Sequence, residues 1–354
     1  MAKNYDIIII GAGPAGSNLA RLVDCDKYSV LLVDGSRGRE KVCGGLISPD
    51  AQKLLAEYDI SLPKDILVTP QLFSVRTIDL SDGYTKYYRR SYMNVSRIKL
   101  DEFFLQMAGE RVDVIKGRCR DVLKTSNGFS VDVEGEEYTC RYLVGADGAS
   151  SIVRRQLFGN KKIKKYTAIQ QWFDAGEENP YYSCIFDNDT SESCSWIFFK
   201  DGKLVFGGAF DRREPRESFE AQKRKLVDLG IVPKNIFDAP IKTEACLVSR
   251  PTLTKGNFFG RGKAFLLGEA SGLISPSSFE GISYALASSD ALAEAFNLSD
   301  KNKDRAIMSH YKRRAFPLCL KVKMRCVKRP FMYNKLLRRL VMKSGLTAIK
   351  IKNK

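Results

Sequence analysis

The chain has 354 residues, 44% hydrophobic and 28% charged, enough apolar material for about two packed domains and too much for a disordered polymer. Its net charge of +17 sits at one end: residues 305–354 hold 16 Lys and Arg and no Asp or Glu, while residues 1–304 are nearly neutral, which argues against a nucleic-acid-binding body. Nine Cys without a CxxC pair, and a single His, His310, argue against a disulfide framework and a zinc site, so no metal is expected.

Tyr5–Ile10 is a short run rich in Ile, the mark of a buried parallel strand. Gly11-Ala12-Gly13-Pro14-Ala15-Gly16 follows at once and opens an apolar-patterned helix through about Val23. Ser29–Val33 reads as a second strand, closed by Asp34. A strand, a GxGxxG turn, a helix and an acidic residue 21 positions after Gly13 make a dinucleotide fingerprint. Gly11 permits the turn, Gly13 lets a pyrophosphate approach the backbone, and Gly16 lets helix and strand pack closely. The helix start offers N–H groups and positive dipole to the phosphates, and Asp34 can accept from ribose hydroxyls. Spacing alone leaves NAD and FAD both open.

Gln71–Asn94 and Tyr166–Phe210 are rich in Tyr, Phe, Ile and Val with turn residues between, predicting antiparallel strands of a second domain inserted into the first. Arg118–Leu143 carries Asn127-Gly128, a hairpin signal. Leu143–Gly148 and Ala264–Glu269 are further strand-to-loop junctions. From Phe331 onward, Met332, Leu336, Leu340 and Tyr333, Leu337, Val341 recur at spacing four among Lys335, Arg338, Arg339 and Lys343. That pattern predicts a basic amphipathic helix suited to an anionic membrane surface through residues 305–354. Packing of its apolar face on the body is the competing expectation, and RNA binding by the tail is a lesser one. His310 lies outside every motif and is expected on a helix surface.

The motifs Gly11–Gly16, Val144–Ser151 and Leu267–Gly272 together resemble the flavoprotein hydroxylase superfamily with the para-hydroxybenzoate hydroxylase fold. Lys41-Val42-Cys43-Gly44-Gly45 narrows this to the geranylgeranyl reductase family. Cys43–Leu46, Tyr166–Phe173, Tyr182–Asp187 and Gly281–Leu286 are similar to the CbrA-type FAD-dependent oxidoreductases. The resemblance implies an α/β chain with FAD as cofactor. A discontinuous Rossmann-like FAD-binding domain would span 1–65, 96–165 and 256–300. An inserted antiparallel-sheet substrate domain would span 66–95 and 166–255, followed by a basic helical C-terminal region at 301–354.

By position, the resemblance assigns Gly11, Gly13, Ala15, Gly16 and Asp34 to the ADP half of FAD and places Gly44 and Gly45 beside the cofactor. Arg97 would begin a helix next to it, and Asp147-Gly148 would be the second dinucleotide-contacting junction. Glu269 stands where the family usually has Asp toward the ribityl chain, so its longer side chain must sit further back or bond through water. Pro276, Gly281 and Ile282 would face the pyrimidine edge of the flavin, with a helix start aimed at N1 and O2. Phe279 replaces a Gly often found there. Trp172, Trp196 and Phe198 would line the substrate, Ser195–Phe199 matching part of the prenyl reductases' Tyr-x-Trp-x-Phe-Pro segment; a plain core strand accounts for the same aromatics. Cys43 is the one candidate reactive thiol.

Neither a second GxGxxG nor a CxxxxC pair is present, which disfavours the two-dinucleotide disulfide-reductase architecture. Electrons are therefore expected from a docked NAD(P)H or a protein donor. Two Trp in the whole chain exclude the halogenase Trp-x-Trp-x-x-Pro segment. The implied function is an FAD-dependent oxidoreductase acting on a hydrophobic isoprenoid or polyprenyl lipid, reducing C=C bonds by hydride transfer from reduced flavin N5. A monooxygenase of the same fold, or a non-catalytic flavin-binding sensor, are the alternatives. With no charged-then-apolar leader pattern, the expected location is cytoplasmic, peripheral at the inner face of the membrane.

Overall fold

The computed structural model describes residues 3–35, 42–159, 161–175, 179–300 and 303–350. In chain order these form β1 (Lys3–Ile10), α1 (Pro14–Leu22), β2 (Val30–Asp34), β3 (Leu46–Ile47), α2 (Pro49–Glu57), β4 (Leu72–Asp79), β5 (Tyr84–Asn94) and α3 (Arg97–Gln106). Next come β6 (Asp113–Lys116), β7 (Cys119–Lys124), β8 (Phe129–Val133), β9 (Glu136–Gly145), α4 (Ile152–Leu157), β10 (Lys164–Asp174), β11 (Tyr181–Phe186), β12 (Ser195–Lys200) and β13 (Lys203–Phe210). The last are α5 (Pro215–Asp228), β14 (Lys242–Arg250), β15 (Gly260–Arg261), β16 (Ala264–Leu266), α6 (Ile282–Leu298), α7 (Asp304–Tyr333), α8 (Lys335–Ser344) and β17 (Ala348–Ile349).

The chain divides into two compact units, one of Met1–Glu40, Ile98–Lys164 and Ser249–Cys326, the other of Lys41–Arg97, Lys165–Val248 and Val327–Lys354. These boundaries differ from the sequence expectation chiefly at two places, besides residues 249–255, which fall in the first unit. Residues 41–65 fall in the second unit because Leu46 and Ile47 pair with Asn94 and Met93 of β5. The C-terminal region forms no unit of its own. Its first part is held in the first unit by buried Tyr311, whose hydroxyl donates to the Leu266 carbonyl at 2.8 Å. Its last part is held in the second unit by Arg338, described below.

The first unit is built on a sheet in the order β15-β16-β9-β1-β2-β6, with β7 and β8 attached beside β9. β1 pairs in parallel with β2 and β9, β16 with β9, and β6 with β2. Ile7–Ile10 are buried as a continuous run rather than alternating, because both faces are covered. Ile7 and Ile9 pack with Leu19 of α1 and Phe296 of α6; Ile8 and Ile10 pack with Val131 and Val153. The Asn127-Gly128 turn joins β7 to β8 as expected, Thr125 N–H donating to the Gly128 carbonyl at 3.0 Å.

The second unit is a sheet in the order β14-β10-β13-β12-β11-β4-β5-β17, with β3 on β5. β10, β13, β12 and β11 pair antiparallel in turn, as do β4 with β5 and β5 with β17 and β3, whereas β11 lies parallel to β4. That exception follows from topology: the chain leaves β5 to build part of the first unit and returns, so no hairpin links these strands. Strand alternation gives the sheet two unlike faces. Ile169, Phe173, Ile197, Phe199 and Phe206 pack under α5 through Phe219 and Leu226. The opposite face carries Tyr92, Phe198 and Val205, with half-buried Trp172, Tyr182 and Trp196.

The expected continuous periodicity from Met332 to Val341 is broken at Asn334. Its side-chain oxygen accepts from Leu337 N–H at 3.1 Å and caps a new helix, α8. Among the described residues no helix is long and apolar enough to cross a membrane.

Candidate functional site

In the first unit, four strand ends meet on one edge. Ile10 is in register with Val33 and Gly145, and Gly145 with Leu266. These strands run in parallel, so the segments after them, Gly11–Gly16, Asp34, Asp147-Gly148 and Gly268-Glu269, leave the sheet on the same side. The chain departs from β1 to β2 on one side and to β9 on the other, which makes this edge a topological switch point, the usual ligand position in such sheets.

The three glycines have different jobs. Gly11 has a φ of +108°, and a Cβ there would lie 2.7 Å from the Ala146 carbonyl oxygen. A Cβ on Gly16 would lie 1.9 Å from the Gly11 carbonyl oxygen. Both are packing requirements. A Cβ on Gly13 would meet nothing within 4 Å, so the space it leaves is room for a ligand. Gly13 caps α1 without a side-chain hydrogen bond, Pro14 has no N–H, and Ser17 N–H is the donor that reaches back to Gly13. The amides of Ala15 and Gly16 thus lie in the first turn, where no intrahelical partner exists. Asp34 ends β2, half-buried. This cradle fits the pyrophosphate and ribose of FAD.

Other expected contacts take specific forms. Asp147 turns its carboxylate inward: Oδ2 accepts at 2.6 Å from Ile152 N–H, the first amide of α4, while the Ser151 hydroxyl caps that helix by accepting from Arg154 N–H at 3.0 Å. Burial pushes the Asp147 pKa up, opposed by the Ser151 hydroxyl and nearby backbone amides. A cofactor held at this junction would therefore meet backbone and Gly148, whose φ is +70°, rather than that carboxylate. Glu269 sits back, as its length requires, Oε1 accepting from Ser249 N–H at 2.7 Å. Pro276 is buried and its carbonyl accepts from Arg250 Nε at 3.1 Å. Phe279 adopts a φ of +54°, the left-handed conformation a Gly would take freely, so the loop keeps its shape without one. α6 begins at Ile282 with Gly281 as its cap, and Arg97 opens α3.

In the second unit, Cys43 is half-buried in a loop fixed by neighbours that sequence reasoning missed. Buried Lys200 donates to the carbonyls of Gly44 at 2.8 Å and Val95 at 2.7 Å. A Cβ on Gly44 would lie 2.9 Å from Phe198 Cζ, and one on Gly45, at φ +65°, would lie 2.3 Å from the Val95 carbonyl oxygen. Only a Gly-Gly pair lets the loop lie this close to β12. At the sequence level Lys200 is masked by the Asp201-Gly202 turn beside it.

Trp172, Trp196 and Phe198 share the face opposite α5. Both indoles belong to one polar network. Trp172 Nε1 donates to Glu244 Oε2 at 2.8 Å, Gln170 Nε2 donates to the same oxygen at 3.2 Å, and Trp196 Nε1 donates to Gln170 Oε1 at 3.2 Å. Burial alone would raise the Glu244 pKa, but the Lys242 ammonium at 2.8 Å and the two N–H donors hold it below the usual carboxylate range.

The sequence is 39% identical over 362 residues to protein CbrA of Shigella flexneri serotype 5b, covering 98% of this chain and 95% of that protein. The chain belongs to the CbrA family. CbrA of Escherichia coli K12 is 38% identical over 358 residues, covering 98% of each chain. Residues 5–175 also match the pyridine nucleotide-disulphide oxidoreductase family. Among solved structures, a geranylgeranyl bacteriochlorophyll reductase-like protein of Thermoplasma acidophilum aligns with a TM-score of 0.80 at 18% identity, over 96% of this chain and 91% of that one. PqsL of Pseudomonas aeruginosa, a probable FAD-dependent monooxygenase, aligns at 0.72 and 18%, over 97% and 100%. The CbrA-family chain thus has the FAD-dependent oxidoreductase fold, with a Rossmann-like domain, a second sheet domain and a C-terminal helical stretch.

Proposed function

We propose that this CbrA-family protein is an FAD-dependent reductase of carbon–carbon double bonds in an isoprenoid-type lipid. FAD bound by the first unit supplies hydride, drawing electrons from NAD(P)H or a protein donor. The observation that carries the reading is the aromatic face of the second unit, where Trp172, Tyr182, Trp196 and Phe198 stand together on the side away from α5. An isolated prenyl double bond has no electron-withdrawing group, so hydride addition needs a proton delivered first or together. Positive charge then builds on the more substituted carbon, and indole and phenyl faces suit that charge.

The proton source must be protonated at neutral pH. Glu244, held as a carboxylate, is not it. Cys43, in the loop packed on Phe198, is the donor we assign, with the Tyr182 phenol and Cys184 on the same face as the groups it must be distinguished from. The test is turnover of a polyprenyl lipid in D2O with a chemical reductant. The proposal predicts incorporation of solvent deuterium at the reduced bond, slowed in Cys43→Ser. Turnover and incorporation unaffected by that substitution would remove Cys43 from the role. An oxygen-containing product would favour the monooxygenase reading, which the likeness to PqsL supports.

A further inference from the structure

α7 is apolar on two opposite sides. Ile307, Met308, Tyr311, Ala315 and Val322 are buried. At about 100° per residue they fall within an arc of about 100°. Phe316, Leu320, Met324, Val327 and Phe331 fall within a separate arc of about 80° on the other side. They are between 48% and 62% exposed. A globular helix needs only the first stripe. The second is a solvent-facing ridge about 22 Å long at 1.5 Å per residue. α8 repeats the arrangement on a small scale, with Leu336 and Leu340 exposed opposite buried Arg338 and Met342.

Charge is arranged around the ridge. Exposed Lys312 and Lys323 project along one flank of α7 and Lys328 along the other, and residues 305–354 contain no carboxylate side chain. Long basic side chains flanking an apolar ridge are what a helix lying in the lipid interface requires: the ridge enters the acyl boundary and the ammonium groups reach anionic headgroups. A nucleic acid has no use for five large apolar side chains in line. The basic excess of α8 is less available than the sequence implied, because Arg338 is buried against Asp79 and Arg339 pairs with Asp82. The contact surface therefore lies further toward the N-terminus than the 332–341 pattern indicated.

We propose that the Phe316–Phe331 ridge of α7 docks the protein onto an anionic bilayer, lying in the plane of the interface. This goes beyond the reductase reading and needs neither bound flavin nor turnover, so the two fail separately. The test is flotation of the full chain with phosphatidylglycerol-containing and pure phosphatidylcholine vesicles, at low and high salt. Wild type is expected to float with the anionic vesicles and to be released by salt. Leu320→Ser/Met324→Ser/Phe331→Ser is expected to lose at least about tenfold in partitioning. Lys312→Glu/Lys323→Glu/Lys328→Glu is expected to lose the preference for anionic lipid. All replaced residues are exposed, and an unchanged thermal midpoint verifies the fold. As a second readout, Leu320→Trp should shift its emission to the blue on adding vesicles, whereas Phe73→Trp, on the exposed start of β4, should not. Equal flotation of wild type and the serine variant overturns the proposal. So does absence of vesicle binding together with a ridge-dependent dimer, which would make the occupant a second copy of the chain.

Discussion

Arg338 of α8 donates through Nε to Asp79 Oδ2 at 2.8 Å, both side chains being nearly wholly buried at 4% and 3% exposure. The guanidinium also donates from Nη1 to Asn188 Oδ1 and to the Met332 carbonyl and lies over the Phe186 ring. A residue that reads in the sequence as one more charge of a basic tail is thus the pin that fixes the last helix to the second unit. Arg338→Leu leaves a buried carboxylate without its cation, and urea unfolding should show a loss of about 3–5 kcal/mol. The double variant Asp79→Leu/Arg338→Leu should be less destabilised than the single. A single-variant loss within the range of a surface ion pair would contradict the assignment.

The same pair has a pH signature. Burial pushes the Asp79 carboxyl up, but the Arg338 guanidinium and Ser81 donors outweigh it and hold the pKa below the ordinary value. A group whose pKa is lowered in the folded state stabilises above its unfolded pKa, and that contribution disappears as pH falls through the folded value. The stability gap between wild type and Arg338→Leu should therefore be largest at neutral pH, shrink on acidification as the variant's unpaired, buried Asp79 takes up a proton, and vanish once pH falls below the ordinary carboxylate range. A gap that widens on acidification would contradict it.

The glycines of the first unit make a sharper test of the cofactor site than a generic loss of binding. Gly13→Val projects into open space, so the apoprotein should keep its thermal midpoint while losing FAD. Gly16→Ala places a methyl against the Gly11 carbonyl, so it should lower the midpoint itself. Asp34→Ala should weaken FAD by about 1.5–3 kcal/mol through loss of a charge-assisted hydrogen bond. Normal FAD content in Gly13→Val would show that the cradle holds no pyrophosphate.

Lys200→Met removes the donor shared by the Gly44 and Val95 carbonyls. The buried Val95 carbonyl loses a partner, at about 1–3 kcal/mol, and the half-buried Gly44 carbonyl loses one at a smaller cost. Limited proteolysis should then cut near Cys43 faster than in wild type, while FAD retention by the first unit changes less. Unaltered cleavage would mean that the loop is held by other contacts.

What the sequence disclosed depended on range. The Gly11–Gly16 turn, the Asn127-Gly128 hairpin and the helix at Arg97 are local, because φ freedom and periodicity act within a few residues. The grouping of Trp172, Trp196 and Phe198 on one face follows from strand alternation once β10 and β12 are each paired with β13. Lys200, Glu244 and Arg250 were invisible because their partners are distant: Lys200 reaches Gly44 across 156 positions. The helix break at Asn334 escapes the pattern for a different reason. Spacing of four continued through it, yet a side-chain cap ends one helix and starts another without disturbing the count. His310, expected on the surface, is partly buried and lies 3.4 Å from Glu294.

The reductase reading is tested most directly under strict exclusion of oxygen. Chemically reduced holoprotein is mixed with a polyprenyl lipid in vesicles, while the return of oxidised-flavin absorbance and the product mass are followed together. The reading predicts reoxidation by the lipid alone, with two hydrogens gained per reduced bond and a slower step in Cys43→Ser at unchanged FAD content. Reoxidation only after oxygen is admitted, with a product heavier by one oxygen atom, would contradict it.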